Sequence, residues 1–141
     1  MGVGVLIRDE KGRVIAAQSK TIHAIYDPTT AEALGALMAV ELSRDLAVFD
    51  ILLEGDSSNV VQALKEKRPN WSHYGQIIED AHLLLQMMGS WDIGHVKREV
   101  NAAAHTLAKE AFRSPIEKVW IEETPTCISH IVNLALIALS L

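Results

Sequence analysis

The sequence predicts a mixed α/β fold, a sheet of both strand directions flanked by helices, and three observations carry that prediction. Short apolar runs rich in β-branched residues alternate with stretches whose apolar residues recur at helical spacing. The order along the chain is hairpin, helix, strand, two helices, strand, helix, which places helices on the faces of a sheet. Hydrophobic residues make up 49% of the 141 residues and charged residues 22%, enough to bury a core in one domain and too apolar for a disordered chain.

Taken in order, Val3 to Ile7 is apolar and β-branched. Asp9-Glu10-Lys11-Gly12 then supplies turn chemistry before Arg13-Val14-Ile15-Ala16-Ala17, and the pair predicts an antiparallel hairpin. Ser19 to Tyr26 follows as an extended segment or loop. Pro28 and Thr29-Thr30 announce a helix with Thr30 as its N-cap, and Leu34, Leu37, Met38 and Leu42 give it an apolar stripe. Phe49 to Gly55 predicts a strand that delivers Asp56 to a turn. A short helix from about Ser58 to Lys67 turns Val60, Val61 and Leu64 inward, and Arg68-Pro69-Asn70 stops it. The strongest helical pattern is Ile77, Ile78, Ala81, Leu84, Leu85 and Met88, ending at Gly89. Trp91 to Val96 predicts another strand. Asn101 caps a last helix with Ala104, Leu107, Ala108, Ala111 and Phe112 inward. Beyond Ser114 the character changes: Trp120 to Pro125 reads as a surface-packing extension, and Ile131 to Leu141 is apolar without a clear amphipathic pattern. The expected division is a domain over residues 1–113 and a C-terminal extension over residues 114–141.

Charge and composition bound the function. A net charge of -5 gives no global positive field for a polyanion, so any nucleic-acid binding needs a local basic patch or metal-bridged phosphates. The single cysteine, Cys127, excludes an internal disulfide and fits a reducing compartment. Met1 leads straight into Gly2-Val3-Gly4-Val5 with no basic region, and Ile131 to Leu141 is too short to span a bilayer. The expectation is a soluble intracellular chain with no membrane partner. Oligomeric state is not legible.

Two acids stand out. Glu32 opens the first helical stretch, and Asp56 closes an apolar strand. If that strand and helix pack together, the two carboxylates converge on one rim, which suits a hard divalent cation such as Mg2+. Taken singly, each has a plainer reading: Asp56 as an N-cap, Glu32 as a first-turn acid favoured by the helix dipole. Trp71, His73 and Tyr74 between two helices could stack on bases, but a loop packing over the core is the favoured reading. His23 and His82 show no ligand spacing, and Trp91 and Trp120 read as core or rim aromatics.

Several stretches together resemble the ribonuclease H-like family, most closely the short plant-type domains related to retroelement ribonuclease H. They are Gly2 to Asp9 with Gly12 to Ala17, Ala31-Glu32-Ala33-Leu34, Glu54-Gly55-Asp56-Ser57 with Val60-Val61, His95 to Asn101, and Ala104-His105-Thr106-Leu107-Ala108. Trp120 to Pro125 is similar to a tail that follows such domains. The resemblance implies two-metal phosphodiester hydrolysis, with carboxylates holding two Mg2+ ions about 4 Å apart. Glu32 and Asp56 match two of the four family acids. The first family acid lies on a strand that would precede Gly2, so the resemblance implies an N-terminally truncated sheet, with a gap beside the strands bearing Val3 to Ile7 and Ile51 to Leu53. The fourth acid falls on His105, whose imidazole suits Mg2+ less well and shifts the preference toward Mn2+. The family's loop histidine has no counterpart. Glu32, Asp56 and His105 are thus the candidate catalytic residues and Glu32 and Asp56 the candidate metal ligands. Arg8, Lys97 and Arg98 are the candidate contacts to nucleic acid, an RNA–DNA hybrid or RNA. The alternatives are a non-catalytic nucleic-acid-binding module and a protein-interaction domain docking through the C-terminal apolar run.

Overall fold

The computed structural model describes residues 2–9, 11, 13–22, 27–55, 57–66, 69–95, 102–110, 113 and 117–128. They form two compact units, one from Met1–Ala24 with Ala102–Leu141, the other from Ile25–Asn101.

The first unit is built on the predicted hairpin. Strands β1 (Gly2–Arg8) and β2 (Val14–Thr21) pair antiparallel, with a bulge between Ile7 and Arg8. Asp9 closes the turn from inside: its Oδ1 accepts from the backbone N–H groups of Lys11 and Arg13, each at 2.9 Å, and its Oδ2 from Arg13 Nε at 2.8 Å. The Arg13 backbone N–H is the main reason the Asp9 carboxyl sits below its ordinary value. Helix α4 (Ala102–Glu110) packs on both strands, with Leu107 fully buried beside Ala17, Ala103 and Ile128. Ser19, 2% exposed, donates its hydroxyl to the Leu107 carbonyl at 2.7 Å, so the polar atom is satisfied where water is excluded.

A strand missing from the sequence reading joins this sheet. Residues Lys118–Ile121 form β5, antiparallel to β2 with Ala17 opposite Trp120, and the order is β1-β2-β5. Trp120 and Ile121 were expected as surface packing. They belong to a strand, Trp120 paired with Ala17 and Ile121 with Ala16, and Glu122, at φ 56°, turns its N–H onto the Ile15 carbonyl at 2.7 Å. A 3-10 turn, Thr126–Ile128, then brings Ile128 into the core.

The second unit holds helix α1 (Pro28–Asp45), β3 (Asp50–Gly55), α2 (Ser58–Lys65), α3 (Gly75–Leu85) and β4 (Ser90–His95). Strands β3 and β4 are parallel, with Leu53 opposite Ile93, and the two helices between them make the long crossover that parallel pairing requires. Ala33, Val40, Val60, Val61, Leu64, Ile78, Ala81, Leu85 and Ile93 form one core. The periodicity of α2 and α3 is confirmed; α1 departs from a single stripe, burying Ala33 and Val40 as well as Met38 and Leu42. Helix α3 ends four residues before Gly89. That glycine is no cap: its N–H bonds the Phe49 carbonyl at 2.8 Å, and a Cβ there would stand 3.1 Å from Asp50 Oδ1. The fold is thus mixed α/β with helices against both sheets, as the sequence predicts. Among the described residues β1 and β3 each have a strand neighbour on one side only.

The N-cap of α1 is corrected too. The cap is Asp27, not Thr30: Asp27 Oδ1 accepts from Thr30 N at 2.9 Å and its Oδ2 from Thr30 Oγ1 at 3.1 Å, with Pro28 at the first helical position. Glu32 therefore lies in the second turn, beyond the first-turn acids that the helix dipole favours.

Candidate metal and nucleic-acid site

Glu32 is half-buried on α1, next to Ala33, which is fully buried in the core of its unit. Helix α1 packs against β3, and Ile51 and Leu53 of β3 pack on the core that contains Ala33. The condition set by the sequence, that this strand and helix meet, is satisfied. Asp56 itself lies outside the described residues. On either side of it, β3 ends at Gly55, and α2 is capped by Ser57, whose hydroxyl accepts from Val60 N at 3.4 Å. The N-cap reading for Asp56 is thereby overturned, since Ser57 holds that place.

His105 is half-buried on α4, and Arg8 half-buried at the end of β1, the strand on which α4 packs. Lys97 and Arg98 lie outside the described residues, as do Asn101, Ala111, Phe112 and Ile131 to Leu141. Among the described residues no group of three or more His, Cys, Asp and Glu could hold a metal ion. No described helix is long and apolar enough to cross a membrane. Cys127 packs partly on the core, and burial pushes its thiol up, away from the reactive thiolate.

What sequence reasoning missed is the support beneath Glu32. Asp27 caps α1 and also pairs with His73 Nε2 at 2.5 Å, tying the loop before α3 to the start of the helix that carries Glu32. The Thr30 backbone N–H, and then His73, hold the Asp27 carboxyl below its ordinary value. The signal was present: an acid directly before a proline marks a helix start more strongly than a threonine two residues inside it.

The sequence matches the reverse transcriptase-like family over residues 1–111, most of the chain. The chain belongs to this family, and its domain is ribonuclease H-like. A crystal structure of RNase H1 from the halophilic archaeon Halobacterium salinarum NRC-1 is similar to it, with a TM-score of 0.73 and 29% sequence identity, covering 79% of this chain and 85% of that one. No curated protein matches. Within this reverse transcriptase-like domain, Glu32 is carried on a helix docked to a strand, a firmer mount than a loop would give.

Proposed function

We propose that this ribonuclease H-like domain, residues 1–113 followed by the extension 114–141, binds nucleic acid, with an RNA–DNA hybrid as the preferred partner. The observation that carries the reading is the likeness to an RNase H1 at 29% identity over 79% of the chain. In this reading Glu32 and Asp56 hold a divalent cation, Mg2+ or in its place Mn2+, because carboxylate oxygens are the donors such ions take. When bound, the cation stabilises charge on a phosphate and acidifies a water molecule. Glu32 offers its oxygens from α1, Asp56 from the end of β3, and His105 a ring nitrogen that favours Mn2+. Arg8, Lys97 and Arg98 neutralise backbone phosphates, which makes binding fall with salt.

Turnover is the finer part of the proposal: hydrolysis of the RNA strand, reduced relative to a domain with four acids. A binding module without turnover is the second reading, favoured by His105 at a place where the resemblance implies an acid. The test is cleavage of a labelled RNA–DNA hybrid in Mg2+ and in Mn2+, run beside Asp56→Asn. Cleavage that vanishes in Asp56→Asn supports the nuclease. Salt-sensitive hybrid binding without cleavage supports the module, and absence of both defeats the proposal.

A further inference from the structure

We infer that Trp71 is a stacking platform for an unpaired nucleotide, a contact apart from the carboxylates; the inference rests on the nucleic-acid reading above. The sequence favours a loop packed over the core, but Trp71 is 92% exposed. Its neighbour Tyr74 packs on the core instead.

An exposed indole on a slack loop would mean little, but this loop is tied down on both sides of it. Asn70 N donates to Glu79 Oε1 at 3.3 Å, and Ser72 N donates to Asn70 Oδ1 at 3.0 Å. Gly75 N bonds the Ser72 carbonyl at 3.0 Å. Gly75 also sits so close beneath Asn70 that a Cβ would lie 2.1 Å from the Asn70 carbonyl oxygen. His73 is anchored on Asp27 at 2.5 Å and meets the Tyr74 ring edge-on at 5.3 Å. Backbone and flanking side chains are thus ordered, and Trp71 presents its ring without the ordering cost a mobile loop would incur on binding.

The occupant follows from charge. An open hollow of about 440 Å³ is lined by Trp71, Pro69, Asn70 and Glu66. Glu66 of that lining accepts from Gln62 Nε2 at 3.2 Å and Glu79 from Asn70 N at 3.3 Å, so both acids near the loop carry hydrogen bonds from the protein. A base face is uncharged and stacks on an indole whatever its identity. The ten residues from Lys65 to Tyr74 hold three basic residues against one acid in a chain of net charge -5, so this is a stretch of sequence to which a polyanion is drawn. Glu32 lies five residues along α1 from Asp27, a rise of about 7.5 Å. In this inference the strand stacked on Trp71 is a single-stranded extension of the hybrid held at Glu32.

The test compares wild type, Trp71→Ala and Trp71→Phe on three probes: a blunt RNA–DNA hybrid, the same hybrid with a single-stranded DNA extension of about six nucleotides, and that single strand alone. Melting temperature should be unchanged in both variants, because Trp71 is 92% exposed. The extension should raise wild-type affinity about tenfold. Trp71→Ala should lose that gain while keeping its affinity for the blunt hybrid and its salt dependence, and Trp71→Phe should keep most of the gain. No gain in wild type, or an equal gain in Trp71→Ala, overturns the inference and assigns the indole to a protein contact. If no hybrid binds, the proposed function fails and the single strand decides alone. Binding that is lost in Trp71→Ala upholds the platform, and no binding by wild type overturns it.

Discussion

Helix α1 is closed at its two ends by different physics. At the N-terminus a charged side chain does it: Asp27 caps Thr30 and pairs with His73, and its carboxyl is held below the ordinary range. At the C-terminus the capping bonds come from the backbone. Ala47 N donates to the Arg44 carbonyl and Val48 N to the Ser43 carbonyl, the paired bonds of a left-handed helix stop, with Ala47 at φ 57°. One end responds to pH and joins a distant loop to the helix. The other is closed by backbone bonds and carries the strain of a Cβ where glycine is preferred. The end that supports Glu32 is the adaptable one.

The largest effect should come from the loop that feeds the N-terminal end. Gly75→Ala drives a methyl group into the Asn70 carbonyl, which lies 2.1 Å from the Cβ position. Denaturant unfolding should show a loss of about 1–3 kcal/mol, and the His73–Asp27 contact should weaken with it. Next comes Asp27→Ala, which removes the cap and the His73 contact together and should lower the melting temperature by several degrees; Asp27→Asn, still able to cap, should lose less.

The sign of the pH effect follows from the direction of the shift. A carboxyl held below its ordinary 3.8 stabilises the fold fully above that value, and the contribution is lost as pH falls through the lowered one. Melting followed between about pH 5 and pH 2 should therefore fall less steeply in Asp27→Asn than in wild type. A part of the slope should remain, because Asp9 is lowered too. The smallest effect is at the other end. Ala47→Gly should stabilise by about 0.5–1 kcal/mol, independent of pH, by relieving the left-handed alanine. If Ala47→Gly destabilises, the backbone account of that end is wrong.

The legible parts of the fold are those set by near neighbours. The hairpin could be read from Val3 to Ala17 because its turn residues and β-branched runs lie within a few positions of one another. The buried face of α3 could be read from Ile78, Ala81 and Leu85. Strand β5 could not: its four residues pair with β2 about a hundred positions away, a distance at which local pattern carries no information. Pro28-Thr29-Thr30 reads as a helix start with Thr30 as cap, yet a carboxylate before Pro28 competes better for the same N–H groups. In the site, the helix that carries Glu32 was legible, but not that Glu32 falls in its second turn, and the packing of α1 on β3 was only a condition that the structure then met. The support from His73 was not, since it joins residues 46 apart.

By itself the sequence determined the order of elements, the family, and the acids that mark a candidate site, because periodicity and residue type are local properties of a chain. Only the tertiary structure decided that Trp71 faces solvent, that Trp120 belongs to a sheet, and that Asp27 serves both a helix and a loop. Each of those depends on which distant surface is available to cover an apolar ring or accept a proton. No window of sequence contains that surface; folding brings it there.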